Sequence, residues 1–283
     1  MFTLRSKGRL ISVEEPVVMG IINVTPDSFY SGSRKSSAEQ AIDAAGKMLE
    51  DGAFILDIGG QSTAPASSMI TAEEEMDRVV PVIEGIKKNF PQAILSIDSF
   101  YAAVVGAALH AGADIVNDIS GGQIDPEILA VTAREKVPYI LMHMRGTPQT
   151  MQQFTQYDNL VGDILRYFQE KMDICRNAGI QDVILDPGFG FSKTREQNFE
   201  LMDKLEAFKV FNRPVLVGIS RKSMLYKTLN ITPEESLNAT TVMNTVALLK
   251  GAAILRVHDV KPAVECIKMV RQLSAGPGKN YYF

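Results

Sequence analysis

The stretch Asp182-Val-Ile-Leu-Asp-Pro-Gly-Phe-Gly-Phe191 decides the fold class, because an apolar run ends there in a carboxylate and then in proline and two glycines. Residues 183–185 are aliphatic without polar alternation, which is typical of a parallel strand covered on both faces. Pro187 and the glycines after it cannot prolong that strand. The pattern predicts a buried strand that delivers Asp186 to the rim of a sheet.

The same pattern of an apolar run ending beside a polar side chain recurs along the chain. In chain order the other runs span residues 17–23, 54–57, 94–98, 114–117, 139–143, 215–218 and 252–257. Eight predicted helical segments alternate with these strands. One of them is predicted to begin at a capping box formed by Thr71 and Glu74. Strands and helices in strict alternation predict a parallel sheet, and a closed (β/α)8 TIM barrel is the form that eight such units favour.

The remaining segments fit one α/β domain. An open doubly wound sheet would need a Gly-x-Gly-x-x-Gly motif after the first strand, and residues 20–27 contain none. Residues 1–15 alternate weakly around Lys7-Gly8-Arg9, which predicts a short N-terminal β-hairpin that plugs the barrel floor. Residues 274–283 are predicted to form a loose C-terminal tail. No composition shift marks a second domain, so residues 1–283 are predicted to form a single one.

Composition excludes several classes of function. The net charge is −4 with both signs spread along the chain, so no basic face for nucleic acid is expected. Cys175 and Cys266 lack metal or disulfide spacing, which favours buried thiols in a reducing compartment. No apolar run is long enough to span a membrane and the first residues lack a leader sequence. We therefore expect a cytoplasmic protein without a membrane or nucleic-acid partner.

In a barrel, all strand ends meet at one face, so scattered polar residues become one site. A single Asp or Asn just past a strand is more often a helix N-cap than a ligand contact. Lysine, arginine and histidine are poor N-caps, however, and their presence at the same end of the repeat favours a shared site. The predicted site contains Asn23, Asp57, Asp98, Asn117, His143, Asp186, Lys222, Arg256 and His258.

The donors and acceptors in this set indicate two kinds of ligand group. Asp98 and Asp186 accept, Asn117 does both and Lys222 only donates, which together suit a flat heterocycle such as a pterin or guanine-like ring. Arg256 and His258 lie two residues apart on an extended segment and can face one anion, such as a phosphate.

Asn23 offers a neutral oxygen that could hold Mg²⁺ together with phosphate oxygens and waters. Its alternative role is to tie down its own loop.

Two hydrolase classes are excluded by spacing. The histidines, His110, His143 and His258, show no HxH or HExxH pattern, so a three-histidine metal site is not expected. Ser220 lies in Gly218-Ile-Ser-Arg, which lacks the G-x-S-x-G elbow of a serine nucleophile.

Seven motifs in order resemble the dihydropteroate synthase family. They are Met19-Gly-Ile-Ile-Asn-Val-Thr-Pro-Asp-Ser-Phe29, Asp57-Ile-Gly-Gly-Gln-Ser-Thr63, Ser96-Ile-Asp98, Val116-Asn-Asp-Ile-Ser120, Asp186-Pro-Gly-Phe-Gly-Phe191, Gly218-Ile-Ser-Arg-Lys-Ser223 and Arg256-Val-His258. The resemblance implies a TIM barrel that condenses dihydropterin pyrophosphate with 4-aminobenzoate, giving 7,8-dihydropteroate and pyrophosphate for folate synthesis.

The resemblance also implies roles for individual residues and a homodimer. Four residues are expected to carry the chemistry, namely Asp98, Asp186, Lys222 and Arg256. By the same similarity the pterin is held by Asp98, Asn117, Asp186 and Lys222; the pyrophosphate and Mg²⁺ by Asn23, Arg256 and His258; and the aminobenzoate by Thr63, Pro65, Phe191, Lys222 and Ser223.

The chain departs from the family pattern in one loop, where Ala64 stands at a position that usually carries arginine and Ala66 where glycine is common. This departure keeps open a pterin-binding paralogue with weak or no synthase activity. A methyltetrahydrofolate-type methyltransferase is a second alternative, although it would not need Lys222, Arg256 and His258 arranged for pyrophosphate. Apolar residues at 243–249 could line a dimer interface, but packing onto the barrel is the favoured use.

Overall fold

The computed structural model describes residues 2–25, 34–61 and 69–274, with the backbone alone at 34–37 and 274. The chain begins with an antiparallel hairpin of β1 (Phe2–Ser6) and β2 (Arg9–Val13), as predicted. The hairpin turns at Lys7 and Gly8, which both have positive φ angles, of 51° and 82°. Lys7 adopts this left-handed conformation although only glycine does so without steric cost.

Eight parallel strands follow and form the predicted barrel. They are β3 (Val17–Asn23), β4 (Ile55–Gly59), β5 (Ile94–Asp98), β6 (Ile115–Asp118), β7 (Tyr139–Met142), β8 (Val183–Asp186), β9 (Leu216–Val217) and β10 (Ile254–Val257). The order in the sheet is β8-β7-β6-β5-β4-β3-β10-β9. A parallel bridge between Leu185 and Val215 joins the two edge strands, and the Leu185 N–H donates to the Pro214 carbonyl at 2.9 Å. The sheet therefore closes on itself, and the open-sheet alternative is wrong.

Helices surround the barrel. They are α1 (Arg34–Glu50), α2 (Ala72–Asn89), α3 (Ala102–Ala111), α4 (Glu127–Glu135), α5 (Leu160–Ala178), α6 (Arg195–Asp203), α7 (Ser223–Leu229), α8 (Leu237–Leu249) and α9 (Val260–Ser274). The predicted capping box before α2 is half confirmed, since the Thr71 side chain accepts the Glu74 N–H. The sequence did not predict α7, because its seven residues are too few to show a helical period.

The hairpin fills one end of the barrel. Leu4, Ile11 and Val13 pack against one inward apolar residue from each of seven strands. These are Met19, Ile55, Ile115, Ile140, Ile184, Leu216 and Ile254. The predicted plug is therefore confirmed, and the apolar floor leaves the carboxyl ends of the strands as the polar rim.

Four other expectations concern the cysteines, membrane helices, the C-terminal tail and the number of domains. Cys175 and Cys266 are buried and unpaired, as predicted. Within the described ranges, no helix combines the length and apolar character that a membrane crossing needs. The predicted tail lies almost wholly outside the described residues, and a single domain over residues 1–283 stays a prediction.

Candidate active site

Arg256 connects the ends of the strands at the polar rim. From β10, its Nε donates to Asp57 Oδ2 on β4 at 2.6 Å, and its Nη2 donates to Asp98 Oδ2 on β5 at 2.5 Å. Asn117 on β6 donates from Nδ2 to the same Asp57 oxygen at 3.0 Å. The planar guanidinium, whose geometry suits two carboxylates at once, thus joins three strands directly, and Asn117 adds a fourth through Asp57.

Two nitrogens of the guanidinium bind carboxylates, and its predicted contact with an anion stays a prediction. Nη1 makes no hydrogen bond to the described residues. Asp57 is fully buried, and its Oδ1 has no partner among the residues that the structure describes. Burial lowers the pKa of Arg256, but Asp57 and Asp98 more than offset this and hold the pKa above its ordinary range.

Asp186 is buried and the Asp98 side chain is 14% exposed, and the protonation equilibria of both carboxyl groups are displaced. Burial raises the pKa of Asp98 to about 7 although Arg256 opposes the shift. Burial also raises the pKa of Asp186, against the Gly188 N–H and the charges of Lys222 and Arg256. A proton is therefore held more readily at this rim than on free carboxylates.

The turn after β8 depends on glycine. Gly188 has a φ of +73°, and a Cβ there would lie 2.0 Å from the carbonyl oxygen of His143. Its N–H donates to Asp186 Oδ1 at 2.8 Å, so the turn also orients that carboxylate. A Cβ at Gly190 would lie 2.9 Å from Lys222 Cδ. Glycine is thus required at 188 by a backbone contact and at 190 by a φ of +81°.

Lys222 lies beside Phe191, as the resemblance implied. Its Nζ is 4.2 Å from the centre of the Phe191 ring and donates to the Phe189 carbonyl. Burial lowers the pKa of Lys222 to about 8, and Arg256 adds to the effect while Asp186 opposes it. The Lys222 ammonium therefore lies over the Phe191 ring in a cation–π contact at the rim.

His143 does not bond the site's carboxylates. Its Nδ1 lies 3.0 Å from Lys193 Nζ, and its ring packs edge-on against Tyr167. Lys193 also donates to the carbonyls of Gly188 and Phe191, at 3.0 and 3.1 Å. Burial lowers the pKa of Lys193 to about 7. This lysine braces the turn that carries Phe191, and no sequence signal distinguished it from an exposed lysine.

His258 is bound by the segment after β9. Its Nδ1 lies 3.0 Å from Ser220 Oγ, and its backbone N–H donates to the same oxygen at 3.2 Å. Arg221 donates to both carboxylate oxygens of Asp259, at 3.2 and 2.8 Å. Burial, followed by Arg221 and Arg256, lowers the pKa of His258 to about 4. The ring is therefore neutral at pH 7.

The other predicted residues lie in less constrained positions. Asn23 ends β3 with a half-buried side chain that forms no hydrogen bond to the described residues. Ser223 begins α7 and is exposed. Thr63 and Pro65, together with Ala64, lie outside the described residues.

The free atoms at the rim define what the site can bind. Each of three rim residues uses one polar side-chain atom in a hydrogen bond to the protein. Within the described part of the chain, the other atom has no partner, and these atoms are Asp98 Oδ1, Asn117 Oδ1 and Asp186 Oδ2. Three acceptors beside the lysine donor match a ring edge with several N–H groups and one carbonyl. Arg256 Nη1 and His258 provide donors for an anion nearby.

Comparison with known proteins agrees with this arrangement. A family model described as pterin binding enzyme matches residues 19–258. The dihydropteroate synthase of Escherichia coli (strain K12) is 41% identical over 281 residues, covering 98% of this chain and 99% of that protein. The dihydropteroate synthase of Synechocystis sp. is 45% identical over 259 residues, covering 90% of this chain and 89% of that one.

Solved structures show the same similarity. The Yersinia pestis dihydropteroate synthase in complex with a sulfonamide drug superposes with a TM-score of 0.91 at 41% identity, covering 97% of this chain and 100% of that one. The Xanthomonas albilineans dihydropteroate synthase with 4-aminobenzoic acid gives a TM-score of 0.90 at 36% identity, covering 97% and 99%. The chain therefore belongs to the dihydropteroate synthase family of pterin-binding enzymes.

Proposed function

We propose that this chain condenses 6-hydroxymethyl-7,8-dihydropterin pyrophosphate with 4-aminobenzoate, giving 7,8-dihydropteroate and pyrophosphate. The observation that carries the proposal is the Arg256 bridge between Asp57 and Asp98, which places a cation at the carboxylate cluster, two residues before His258 on the same segment. A flat ring and a departing diphosphate can then be held side by side. The 41% identity to the Escherichia coli enzyme over nearly the whole chain supports the same reaction.

The pterin is assigned to Asp98, Asn117, Asp186 and Lys222. The two carboxylates and the Asn117 carbonyl accept from the amino and N–H groups of the ring, and Lys222 donates to its carbonyl. Asp98 and Asp186 also favour positive charge that develops on the ring as the leaving group departs. This role requires the carboxylates in their ionised form.

The aminobenzoate is assigned to the slot beside Phe191 and Lys222, with Ser223 at its outer end. The Xanthomonas albilineans relative was solved with 4-aminobenzoic acid. We extend the slot to Thr63 and Pro65, which lie outside the described residues. The benzoate ring would pack on the phenylalanine, while the lysine and the serine hydroxyl hold its polar ends.

The diphosphate is assigned to Arg256, His258 and Asn23. Among the described residues, no cluster of three or more acidic, histidine or cysteine side chains could hold a metal by itself. The Asn23 side-chain oxygen accepts no hydrogen bond from the described residues, and it fits Mg²⁺ that arrives with substrate phosphates and keeps its waters. The ion, when bound, would neutralise charge on the leaving diphosphate.

The chemical step is the departure of the diphosphate. An aryl amine is neutral and nucleophilic near pH 7, so a strong general base is not required. The C–O bond to the diphosphate breaks with its electron pair leaving on oxygen, the amine nitrogen bonds to the exposed carbon, and that nitrogen then loses a proton. Arg256 and His258 stabilise the charge on the leaving oxygens.

A direct assay tests the proposal. The protein is mixed with dihydropterin pyrophosphate, 4-aminobenzoate and Mg²⁺, and pyrophosphate release is followed with and without the amine. We expect release that depends on the amine and falls when Mg²⁺ is chelated. Binding without turnover would indicate a paralogue with altered activity, and methyl transfer in its place would indicate a methyltransferase.

We also propose a cytoplasmic homodimer that uses α8 and α9. Of the residues considered from sequence, Leu248 is buried and Met243 and Val246 pack on the core, which confirms the core assignment for these three. Leu249 is exposed instead, and so are four other apolar side chains on the two helices: Leu237, Val242, Met269 and Leu273.

Light scattering after size exclusion tests the dimer. The measured mass should be twice that of one chain, and a Val242→Asp variant should lower the measured mass toward that of the monomer.

A further inference from the structure

The Ser220 hydroxyl forms hydrogen bonds with both the ring and the backbone N–H of His258. Ser220 is the third residue after β9, is 5% exposed, and both neighbours of its hydroxyl oxygen belong to His258, the first residue after β10. The next residues along the two segments, Arg221 and Asp259, form a bidentate ion pair. Two adjacent contacts therefore fix these segments and the His258 ring against one another.

The direction of the hydrogen bond between Ser220 Oγ and the His258 ring follows from which groups can donate. The His258 backbone N–H can only donate, so it uses a lone pair of the Ser220 oxygen. The serine hydrogen then needs an acceptor, and among the described residues the ring Nδ1 is the one within reach. Since Nδ1 accepts, a neutral ring must carry its hydrogen on Nε2.

The surrounding charges keep the ring neutral. Burial first, then Arg221, Arg256 and Lys222, disfavour the imidazolium, and Asp259 is the acidic group that opposes them. Asp259 is itself paired with Arg221, so its effect on the ring is reduced. A neutral ring with a fixed hydrogen presents a single donor.

We propose that Ser220 is a positioning residue that holds His258 as its Nε2–H tautomer, so that Nε2 donates to the leaving diphosphate. The part that concerns the diphosphate rests on the function proposed above, whereas the tautomer does not. In the opposite tautomer, the Nε2 lone pair would face the lone pairs of phosphate oxygens and would repel them. One serine hydroxyl thus converts a repulsive contact into an attractive one.

Nitrogen NMR of histidine-labelled protein measures the tautomer directly. The chain has three histidines, so three ring systems must be resolved, and a His258→Ala spectrum assigns the relevant one. His110 provides an internal reference of the opposite kind, since its Nδ1 lies 2.8 Å from the Gly106 carbonyl and must donate when neutral. We expect His258 at pH 7.5 with Nε2 protonated and Nδ1 bare. A protonated Nδ1 would overturn the proposal.

Substitutions test the role of the hydroxyl. Ser220→Ala should mix the His258 tautomers and lower kcat/KM for dihydropterin pyrophosphate about tenfold, and Ser220→Thr should restore both. Ser236→Ala is the control, because it removes another buried serine hydroxyl, bonded to Pro233 away from the rim. It should change neither quantity.

A double-substitution cycle separates positioning from a general loss of structure. In a His258→Ala background, Ser220→Ala should cause no further loss of kcat/KM, since the ring it orients is gone. An undiminished tenfold loss there, or an unchanged tautomer in Ser220→Ala, would overturn the proposal. If the wild-type chain released no pyrophosphate, the proposed function would fail, whereas the tautomer result would still stand.

Discussion

The guanidinium of Arg256 contacts carboxylates on two different strands, and its contact with Asp57 joins residues 199 positions apart. Asp57 is fully buried, so the arginine neutralises a charge that water cannot reach. The Nη1 atom of the same side chain forms no hydrogen bond to the described residues, and it is the atom that we assign to the diphosphate. Structural pairing and leaving-group stabilisation are thus combined in one residue.

The first prediction concerns Arg256 and Asp186. Arg256→Ala and Asp186→Asn should each lower kcat/KM by roughly 150-fold, on the order of 3 kcal/mol of transition-state stabilisation, because each removes a charge beside the reacting atoms. Steady-state kinetics for both substrates measures the loss. Turnover within tenfold of wild type in either variant would refute that residue's role.

A stability measurement must accompany these kinetics. Arg256→Ala leaves Asp57 unpaired in the interior, and we expect it to lower the free energy of unfolding by about 3–5 kcal/mol. Asp186→Asn keeps the shape and an acceptor for the Gly188 N–H, so it should unfold near the wild-type denaturant midpoint. The asparagine variant therefore isolates the chemical contribution.

At the scale of elements, α2 buries a carboxyl group behind the rim. Glu75 Oε2 accepts a hydrogen bond from the Ser99 hydroxyl at 3.0 Å, and Oε1 has no partner in the described ranges. Burial raises the pKa of Glu75 to about 7, the Ser99 hydrogen bond opposes the shift, and Asp98 adds to it. The folded state therefore binds a proton that the unfolded chain releases above its ordinary pKa of 4.5.

The second prediction is a change in the pH dependence of stability. Between pH 4.5 and 7 the folded state holds more protons at Glu75, so this residue makes stability fall as pH rises through that window. Glu75→Gln should remove its share of the slope and be more stable than wild type at pH 8 by up to roughly 3 kcal/mol. Urea unfolding at pH 5 and pH 8 measures the difference.

Glu73→Gln is the matched control for Glu75, since it changes an exposed glutamate in the same helical turn. It should leave the pH profile unchanged. Equal profiles for wild type and Glu75→Gln would contradict a buried titrating group in α2.

The third prediction concerns the turn after β8. Gly188→Ala should lower the free energy of unfolding by more than about 3 kcal/mol, because φ is positive and the added Cβ would meet the His143 carbonyl at 2.0 Å. Gly106→Ala, in α3, meets its nearest atom at 4.0 Å and should instead stabilise by about 0.5–1 kcal/mol. Denaturant midpoints of the pair compare the two, and a neutral Gly188→Ala would show that the turn can relax.

At the scale of the whole molecule, stability and chemistry lie at opposite ends of the barrel. The hairpin closes the apolar floor, while the carboxylates and cations occupy the rim. Because the layers between are packed aliphatic side chains, the floor can lose a contact without a change in the charges at the rim.

The fourth prediction tests this separation. Leu4→Ala, which leaves a cavity against the floor, should lower the free energy of unfolding by about 2–5 kcal/mol. Its kcat/KM should stay within twofold of wild type at a temperature where the variant is folded. Leu10→Ala in the same hairpin is the control, because that side chain is 64% exposed and should cost less than about 0.5 kcal/mol. A loss of activity without unfolding would show that floor and rim are coupled.

Much of the architecture was predictable because its signals are local. Apolar runs that end in polar residues define each strand by its own neighbours, and repetition of that unit implies the barrel and the shared rim. Asp98, Asn117, Asp186, Lys222 and Arg256 were therefore placed together without any knowledge of their contacts. The hairpin was equally local, since its turn residues lie between its two strands.

Contacts between distant residues were decided only by the tertiary structure. That Arg256 binds Asp57, that Lys193 is buried against His143, and that Glu75 lies behind the rim all depend on strand register and helix packing. An isolated lysine or glutamate looks the same in sequence whether it is exposed or buried. The sequence by itself thus determined which residues reach the rim, because that follows from periodicity along the chain. Only folding decided which of them pair and which keep a proton, because those properties arise from side chains brought together across the barrel.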